Sequence, residues 1–444
     1  MKSLQIGDND LVGNKFNGHD LHLYLRENNV DATHLVATKH SDNMSTYSIF
    51  NSSNWRKLLR FTKKIEQDYS VQSNLYPFSF DILNNELFLN GDVVHYHLLH
   101  NNFFNLNVLP LMCQLKPSIL SIHDPWITTG HCVYSFHCEK WKDGCGDCPD
   151  LNIPFNITKD NTALNFELKR QIIQNSRLTL IVASQWMMNL VAQSPVTQGL
   201  PIYHIPHGIN HEVFCPAEVS LCRSQLEIDD DAFVLFFRAD KNPYKGLDII
   251  DKSLSLLNRN RNISILTVGE KGLLKHLKPR YQVIEFDWLK DDRKLASLYQ
   301  ACDLFLMPSK QEAFGMMAAE AMSCGKPVLA IEGTSLEEVI NAPECGVVTK
   351  PDSLAYNSEL ERLMSNPTEI RMRGEKSLNY ARNNYNDKIN FHKIFDLYNN
   401  VIAQHEIDSH ALHVLAQLKK HMLIKANRFA PVQKNSFLGL FNRR

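Results

Sequence analysis

Long apolar runs are missing from this sequence. No uninterrupted stretch approaches the roughly 18–20 residues that cross a bilayer as a helix. The N-terminus, MKSLQIGDND, has no apolar core of the kind that marks a cleaved leader, so no secretory signal is expected. Charge of one sign is missing too: 47 Lys and Arg stand against 48 Asp and Glu, a net charge of −1. That balance gives no electrostatic footprint for nucleic acid, and no nucleic-acid partner is expected. Cysteine is sparse, ten in 444 residues, which excludes a disulfide scaffold and makes a reducing cytoplasm the expected compartment. What remains is an ordinary globular composition, 44% hydrophobic and 21% charged, in a chain long enough for two or three domains.

Short apolar runs alternate with amphipathic stretches along most of the chain. Leu4–Ile6, Ala32–Thr38, Asp92–His97, Pro117–His123, Leu178–Ser184 and Pro201–Pro206 read as strands, and Asn165–Asn175 and Gln185–Gln193 fit helices between them. Such alternation predicts a doubly wound parallel sheet, with ligands at the carboxyl ends of its strands. The loop Gly7–Gly18, with glycines at 7, 13 and 18, could admit a diphosphate or a sugar close to the backbone. His95 and His97 are expected to face opposite ways, so that one of them reaches the ligand side. His123 closes a strand and is followed by Asp124-Pro125-Trp126, and His207 lies in a similar strand-end loop.

Four of the cysteines crowd between Cys132 and Cys148, in an aperiodic insertion spanning 124–151. Cys145-Gly146-Asp147-Cys148 is a C-x-x-C knuckle, and Cys132 and Cys138 could complete a tetrahedral structural zinc site, with His131 and His137 as substitutes. Reduced, unliganded cysteines or a labile disulfide are the alternatives. A catalytic metal is not expected, because four protein ligands leave no open coordination position.

A second strand–helix series follows residue 211. Phe233–Phe237 reads as a buried strand ending in Arg238, and the loop Arg238–Gly246 collects Lys241 and Lys245 before a helix from about Gly246. Arg238 and Lys245 are candidates to clamp a diphosphate. After strands at Ile263–Val268 and Gln282–Phe286 comes the densest stretch, PSKQEAFGMMAAEAMSCGKP from Pro308 to Pro327. It joins strand Asp303–Met307 to helix Met316–Ser323, and strand Val328–Ile331 follows. Gly315 sits at the loop-to-helix junction, where backbone N–H groups can meet an anion. Glu312 stands in the loop and Glu320 in the helix.

Glu312 to Glu320, within Pro308-Ser309, Glu312-Ala313-Phe314-Gly315, Glu320-Ala321 and Gly325-Lys326-Pro327-Val328, resembles the Glu-x7-Glu motif of retaining glycosyltransferases of family 4. Ile205–Asn210 is similar to that family's I-P-N-G-[IV]-D segment. Arg238 with Lys245-Gly246 resembles its R…KG pair, at a spacing longer than the common form. The block from His123 to Pro149, H-D-x-W-x-x-T-G-H-C…C…GCG-x-CP, resembles a branch found in bacterial surface-polysaccharide clusters. The likeness covers roughly residues 1–404.

The resemblance implies a GT-B fold, two Rossmann-like domains facing a cleft and a helical C-terminus. The expected parts are an acceptor domain over 1–211, a donor domain over 212–386 and a cross-over helix over 387–404. The implied activity moves a hexose-type sugar, with retention, from a nucleotide-diphosphate sugar to a glycan or lipid-linked acceptor. His123 and Glu312 are the implied catalytic pair. Gly13, Arg238, Lys245, Phe314, Gly315, Met316 and Glu320 would bind the donor, with Glu320 accepting from ribose hydroxyls. Other readings are a nucleotide-sugar epimerase or phosphorylase of the same fold, and a zinc-stabilised docking module without activity. Residues 405–444 carry seven Lys and Arg against two acids, with Leu412, Leu415, Leu418 and Met422 interleaved. Such a tail could lie on an anionic membrane at the inner face of the plasma membrane, or be a flexible or partner-docking tail.

Overall fold

The structure, a computed structural model, describes residues 1–429 apart from 14, 51–54, 101, 258–260 and 408. Two parallel sheets form in sequence order. The first holds β1 (Lys2–Asn9), β2 (Asp31–Thr38), β3 (Thr46–Ser48), β4 (Val93–His97), β5 (Ser118–Ile122), β6 (Leu178–Val182) and β7 (Ile202–His204), in the spatial order β3-β2-β1-β4-β5-β6-β7. The second holds β8 (Phe233–Ala239), β9 (Ile263–Gly269), β10 (Gln282–Phe286), β11 (Leu304–Met307), β12 (Val328–Ile331) and β13 (Val347–Thr349), in the order β10-β9-β8-β11-β12-β13. Their strands are near-continuous Val, Ile, Leu and Phe because helices cover both faces. Leu4, Ile6, Val94, Leu180, Val234, Phe236, Leu306 and Leu329 are all at or below 1% exposure.

In each sheet the strand order reverses once, between β1 and β4 and between β8 and β11. Loops that follow those strands diverge there and leave a crevice. The loop after β1 carries residues 10–18, that after β8 carries 240–246, and that after β11 carries 308–315. All three regions singled out from sequence therefore lie at a reversal point.

β3 and β13 are three residues long and carry no periodic signal of their own, so pattern alone does not find them. A short helix, Val219–Ser224, lies in the segment between β7 and β8. Helix Asp387–Gln404 returns to the first domain: Tyr398 is fully buried, and its hydroxyl lies 2.7 Å from His95 Nδ1 and accepts from Gln5 Nε2 at 3.1 Å. Gly208 passes so close beneath this helix that a β-carbon would lie 2.3 Å from Asp387 Cα.

The tail departs from the membrane-surface expectation. Residues 409–429 form a helix whose Ala411, Val414, Leu415 and Leu418 pack against the core of the first domain, near Pro77–Asn84 and Leu109–Leu115. Among the described residues the apolar stripe is spent on the protein itself, apart from Leu412, which is 52% exposed. The side chain of Met422 and residues 430–444 lie outside what the structure describes. Among the described residues no helix is long and apolar enough to cross a membrane.

Gly246 ties the two loops of the second domain together. Its φ of +73° is left-handed, and a β-carbon would stand 1.9 Å from the carbonyl oxygen of Pro308. Gly246→Ala should destabilise the second domain by about 2 kcal/mol or more, from backbone strain and the clash together. A urea titration followed by fluorescence checks this, and a wild-type midpoint would show that the loops do not touch.

Candidate functional site

Helix Met316–Ser323 starts directly after the loop that follows β11, with Gly315 as its N-cap at φ +93°. A β-carbon on Gly315 would come within 2.5 Å of Leu336 Cδ2, so the backbone can run close to its neighbour only without a side chain. Glu312, three residues earlier, accepts a hydrogen bond from Lys245 Nζ at 2.9 Å, with both side chains about 85% buried. The structure therefore brings together two residues 67 positions apart that the sequence assigned to one site. Lys245, and not Lys241, is the partner. Lys241 pairs with Glu270 and is largely exposed.

Arg238 leaves the end of β8 with its guanidinium 4.8 Å above the exposed ring of Trp288 and 2.5 Å from Asp240. Its Nε is buried and has no hydrogen-bond acceptor. A buried guanidinium N–H without an acceptor costs free energy, which a bound anion would remove.

Glu320 is in a different setting from the one expected. It is 3% exposed, and both oxygens are occupied: Oε1 accepts from Lys15 Nζ at 2.9 Å and Oε2 accepts from the Tyr299 hydroxyl at 3.0 Å. Lys15 belongs to the loop after β1, so this ion pair crosses from the first domain to the second. Burial by itself would lower the Lys15 pKa, but Glu320 and then Asp292, 3.5 Å away, hold it above the usual lysine range. Lys15 went unassigned in the sequence, although the signal that marked Arg238, a cation in a strand-end loop, was present there too.

The remaining predicted residues divide. His123 lines a cavity of about 570 Å³ between the domains, together with Lys15, His97, His207 and Asp292. Its ring is stacked 5.3 Å from His207, and Phe16 meets both rings edge-on. Arg238, Lys245 and Glu312 do not line this cavity, so the expected site falls into a histidine-lined half and a cationic half. Gly13 is exposed, closing a turn in which its carbonyl accepts from Phe16 and Asn17 N–H. Phe314 is buried against His207 and Tyr385, so its ring belongs to the core and not to a ligand surface. Met316 is half-buried against the same core.

His95 and His97 correct the expectation that they face opposite ways. Residues i and i+2 of a strand share a face, and their ring centroids lie 4.1 Å apart. His95 Nε2 lies 2.8 Å from Ser121 Oγ, and His97 Nδ1 lies 3.4 Å from His123 Nε2.

The cysteine insertion does not close into the four-sulfur site. Cys145 Sγ accepts from Gly130 N–H at 3.2 Å and Cys148 Sγ lies 3.4 Å from His131 Nε2. Burial pushes the Cys132 thiol up to about 11 and that of Cys145 up to about 12. Among the described residues, the cysteines do not supply three ligand atoms within 4.8 Å of one another. Cys145 and Cys148 thus each have a local partner. The insertion does reach the cleft: Tyr134 lies 5.6 Å from Tyr244, and burial, then the charge of Glu312, raises its phenol well above the usual range.

Residues 220–387 match the family model described as glycosyl transferases group 1. The chain is 24% identical over 270 residues to WcaC of Escherichia coli (strain K12), described as a colanic acid biosynthesis glycosyl transferase; the match covers 56% of this chain and 62% of that one. It is 30% identical over 192 residues to a D-inositol 3-phosphate glycosyltransferase of Streptomyces bingchenggensis, covering 39% and 42%. It thus spans less than two thirds of the length of these relatives. Among solved structures, Anabaena HepE in complex with UDP superposes with a TM-score of 0.64 at 16% identity, covering 90% of this chain and 100% of that one. Sucrose-phosphate synthase from Thermosynechococcus elongatus gives 0.63 at 17%, covering 91% and 99%. The fold is GT-B.

Two outcomes follow for stability. Lys15→Met leaves the buried Glu320 charge with Tyr299 alone and should cost about 2–3 kcal/mol, of which Glu320→Gln on the same chain recovers a part. Purely additive losses in denaturant titrations would show that the pair is uncoupled. Burial lowers the pKa of His207 to about 4 and of His95 to about 3. Both are neutral when folded and take up protons when unfolded near their ordinary value of about 6.5, so acid favours the unfolded chain. Stability should hold above about pH 6.5 and fall steadily below it, and the melting temperature of His207→Asn should fall less steeply than wild type.

Proposed function

Taking the group 1 glycosyltransferase match of residues 220–387 as premise, we propose that this chain transfers a hexose-type sugar, with retention, from a nucleotide-diphosphate sugar to a glycan or lipid-linked acceptor in surface-polysaccharide synthesis. The observation that carries the reading is the cationic corner at the second sheet's reversal point. Arg238 offers a buried N–H with no acceptor, and Lys245 holds Glu312 beside Gly315. Breaking the anomeric C–O bond leaves charge on the departing diphosphate. Arg238, Lys245 and the N–H groups after Gly315 are the donors that could stabilise it. Glu312, drawn to Lys245, would turn its other oxygen to donor-sugar hydroxyls and to the positive charge developing on the sugar.

Glu320 would accept from ribose hydroxyls, sharing Oε1 with Lys15 or releasing it. Lys15 would then stand free to face the diphosphate. His123 and His207 are kept neutral by burial, so they can accept or donate a hydrogen bond beside the sugar without repelling an oxocarbenium-like centre. The complexes of Anabaena HepE with UDP and with UDP-glucose support a nucleotide-sugar donor by fold likeness alone. A cytoplasmic location suits such a donor. A membrane contact through 405–444 keeps little support once Leu415 and Leu418 are packed inward.

The test begins with thermal shifts against a panel of UDP-, GDP- and ADP-sugars, since a bound donor raises stability by mass action. With the donor that stabilises, Glu312→Ala and Arg238→Ala should each lower turnover by about 100-fold or more while circular dichroism shows the chain still folded. NMR of the product's anomeric proton reads retention. Wild-type turnover in Glu312→Ala would sink the assignment.

A further inference from the structure

Beneath the loop that carries Lys15, three histidines converge. His19 and His22 stand on the first turn of helix His19–Glu27, and His34 stands on β2. All three are buried, at 7%, 0% and 0% exposure, and one ring nitrogen of each lies within 4.8 Å of those of the other two. Their ring centroids form a triangle with sides of 5.0, 5.9 and 5.3 Å. Three stacked aliphatic side chains would fill this space at lower cost than three polar rings, so the cluster calls for a reason.

The hydrogen bonds show which nitrogens hold lone pairs. His22 Nδ1 lies 2.6 Å from the His19 carbonyl oxygen, and His34 Nε2 lies 2.9 Å from that of Asn17. A carbonyl oxygen can only accept, so both of those nitrogens carry the proton. The lone pairs are then left on His22 Nε2 and His34 Nδ1. His34 Nδ1 is buried with no hydrogen-bond partner, and so is His19 Nδ1. His22 Nε2 meets the Ser45 hydroxyl at 3.1 Å, whose own proton is taken by Asn43 Oδ1 at 2.6 Å, and the Asn43 side chain also reaches the His22 ring. In His22 and His34 one ring N–H is fixed on a backbone carbonyl and the other nitrogen keeps its lone pair, the arrangement that orients metal-binding histidines.

We propose that His19, His22 and His34 bind a divalent transition metal of the imidazole-preferring class, zinc above all, as a structural site. Nitrogens about 2.0–2.1 Å from a tetrahedral zinc stand roughly 3.3 Å apart, a contraction that side-chain rotation can supply. The ion would fasten the first turn of the helix to β2. Through the His34–Asn17 bond it would also fasten the end of the loop, two residues beyond Lys15. This site is separate from the cysteine insertion and does not depend on the transferase reading.

The test uses the full chain, loaded with zinc or cobalt and dialysed, as wild type and with Cys132, Cys138, Cys145 and Cys148 all changed to Ser. The four-serine variant should retain one metal per chain. Its cobalt form should show visible bands of nitrogen and oxygen donors without thiolate charge transfer, and His22→Gln or His34→Gln should weaken binding by about tenfold or more. Metal retained at wild-type affinity in both histidine variants overturns the site, as does a folded four-serine variant that holds none. Should the four-serine variant not fold, the wild-type cobalt spectrum decides: loss of the nitrogen-donor bands alone in His34→Gln supports the site, and an unchanged spectrum overturns it. His19→Gln, at the edge of the cluster, serves if the other two histidine variants do not fold.

Discussion

The pairing of Lys15 with Glu320 is the constraint on which the cleft depends. A glutamate 3% exposed cannot keep its charge without a partner, and the partner comes from the other domain. The contact brings the loop after β1 over the helix that starts at Gly315, so the reversal points of the two sheets face each other. Neighbouring contacts share the load. Ser184 Oγ donates to the Ala313 carbonyl at 2.7 Å, and Glu338 accepts from the N–H groups of Gln185 and Trp186 at a helix N-terminus.

The two walls of the cleft differ in character because their burial differs. The first domain offers neutral imidazoles, His97, His123 and His207, whose pKa values burial lowers. The second offers cations matched to carboxylates, Arg238 with Asp240 and Lys245 with Glu312. A neutral polar wall opposite a cationic one suits a ligand with an uncharged sugar at one end and a diphosphate at the other.

Much of this was legible in the chain. Helices Gln185–Gln193 and Met316–Ser323 and strands Gln282–Phe286 and Val328–Ile331 have the bounds their apolar periodicity predicts. The family resemblance put Glu312 and Lys245 in one site, and the structure added their direct ion pair. What failed did so for physical reasons. His95 and His97 share a face because the strand period is two. The tail's leucines looked like a membrane stripe because a sequence does not say which apolar surface an amphipathic helix will meet. The cysteine knuckle is a different case: spacing fixes the Cys145–Cys148 turn, and the approach of Cys132 and Cys138 is left to the tertiary structure.

By itself the sequence determined the local order of strands and helices, the two α/β series and the strand-end loops that carry charge, since each rests on neighbours within a few residues. Only the tertiary structure decided that Lys15 meets Glu320, that Tyr398 sits between Gln5 and His95, and that His19, His22 and His34 face one another. Those contacts join residues up to 393 positions apart. Their geometry is set by how sheets, loops and the returning helix pack, which local propensity does not encode.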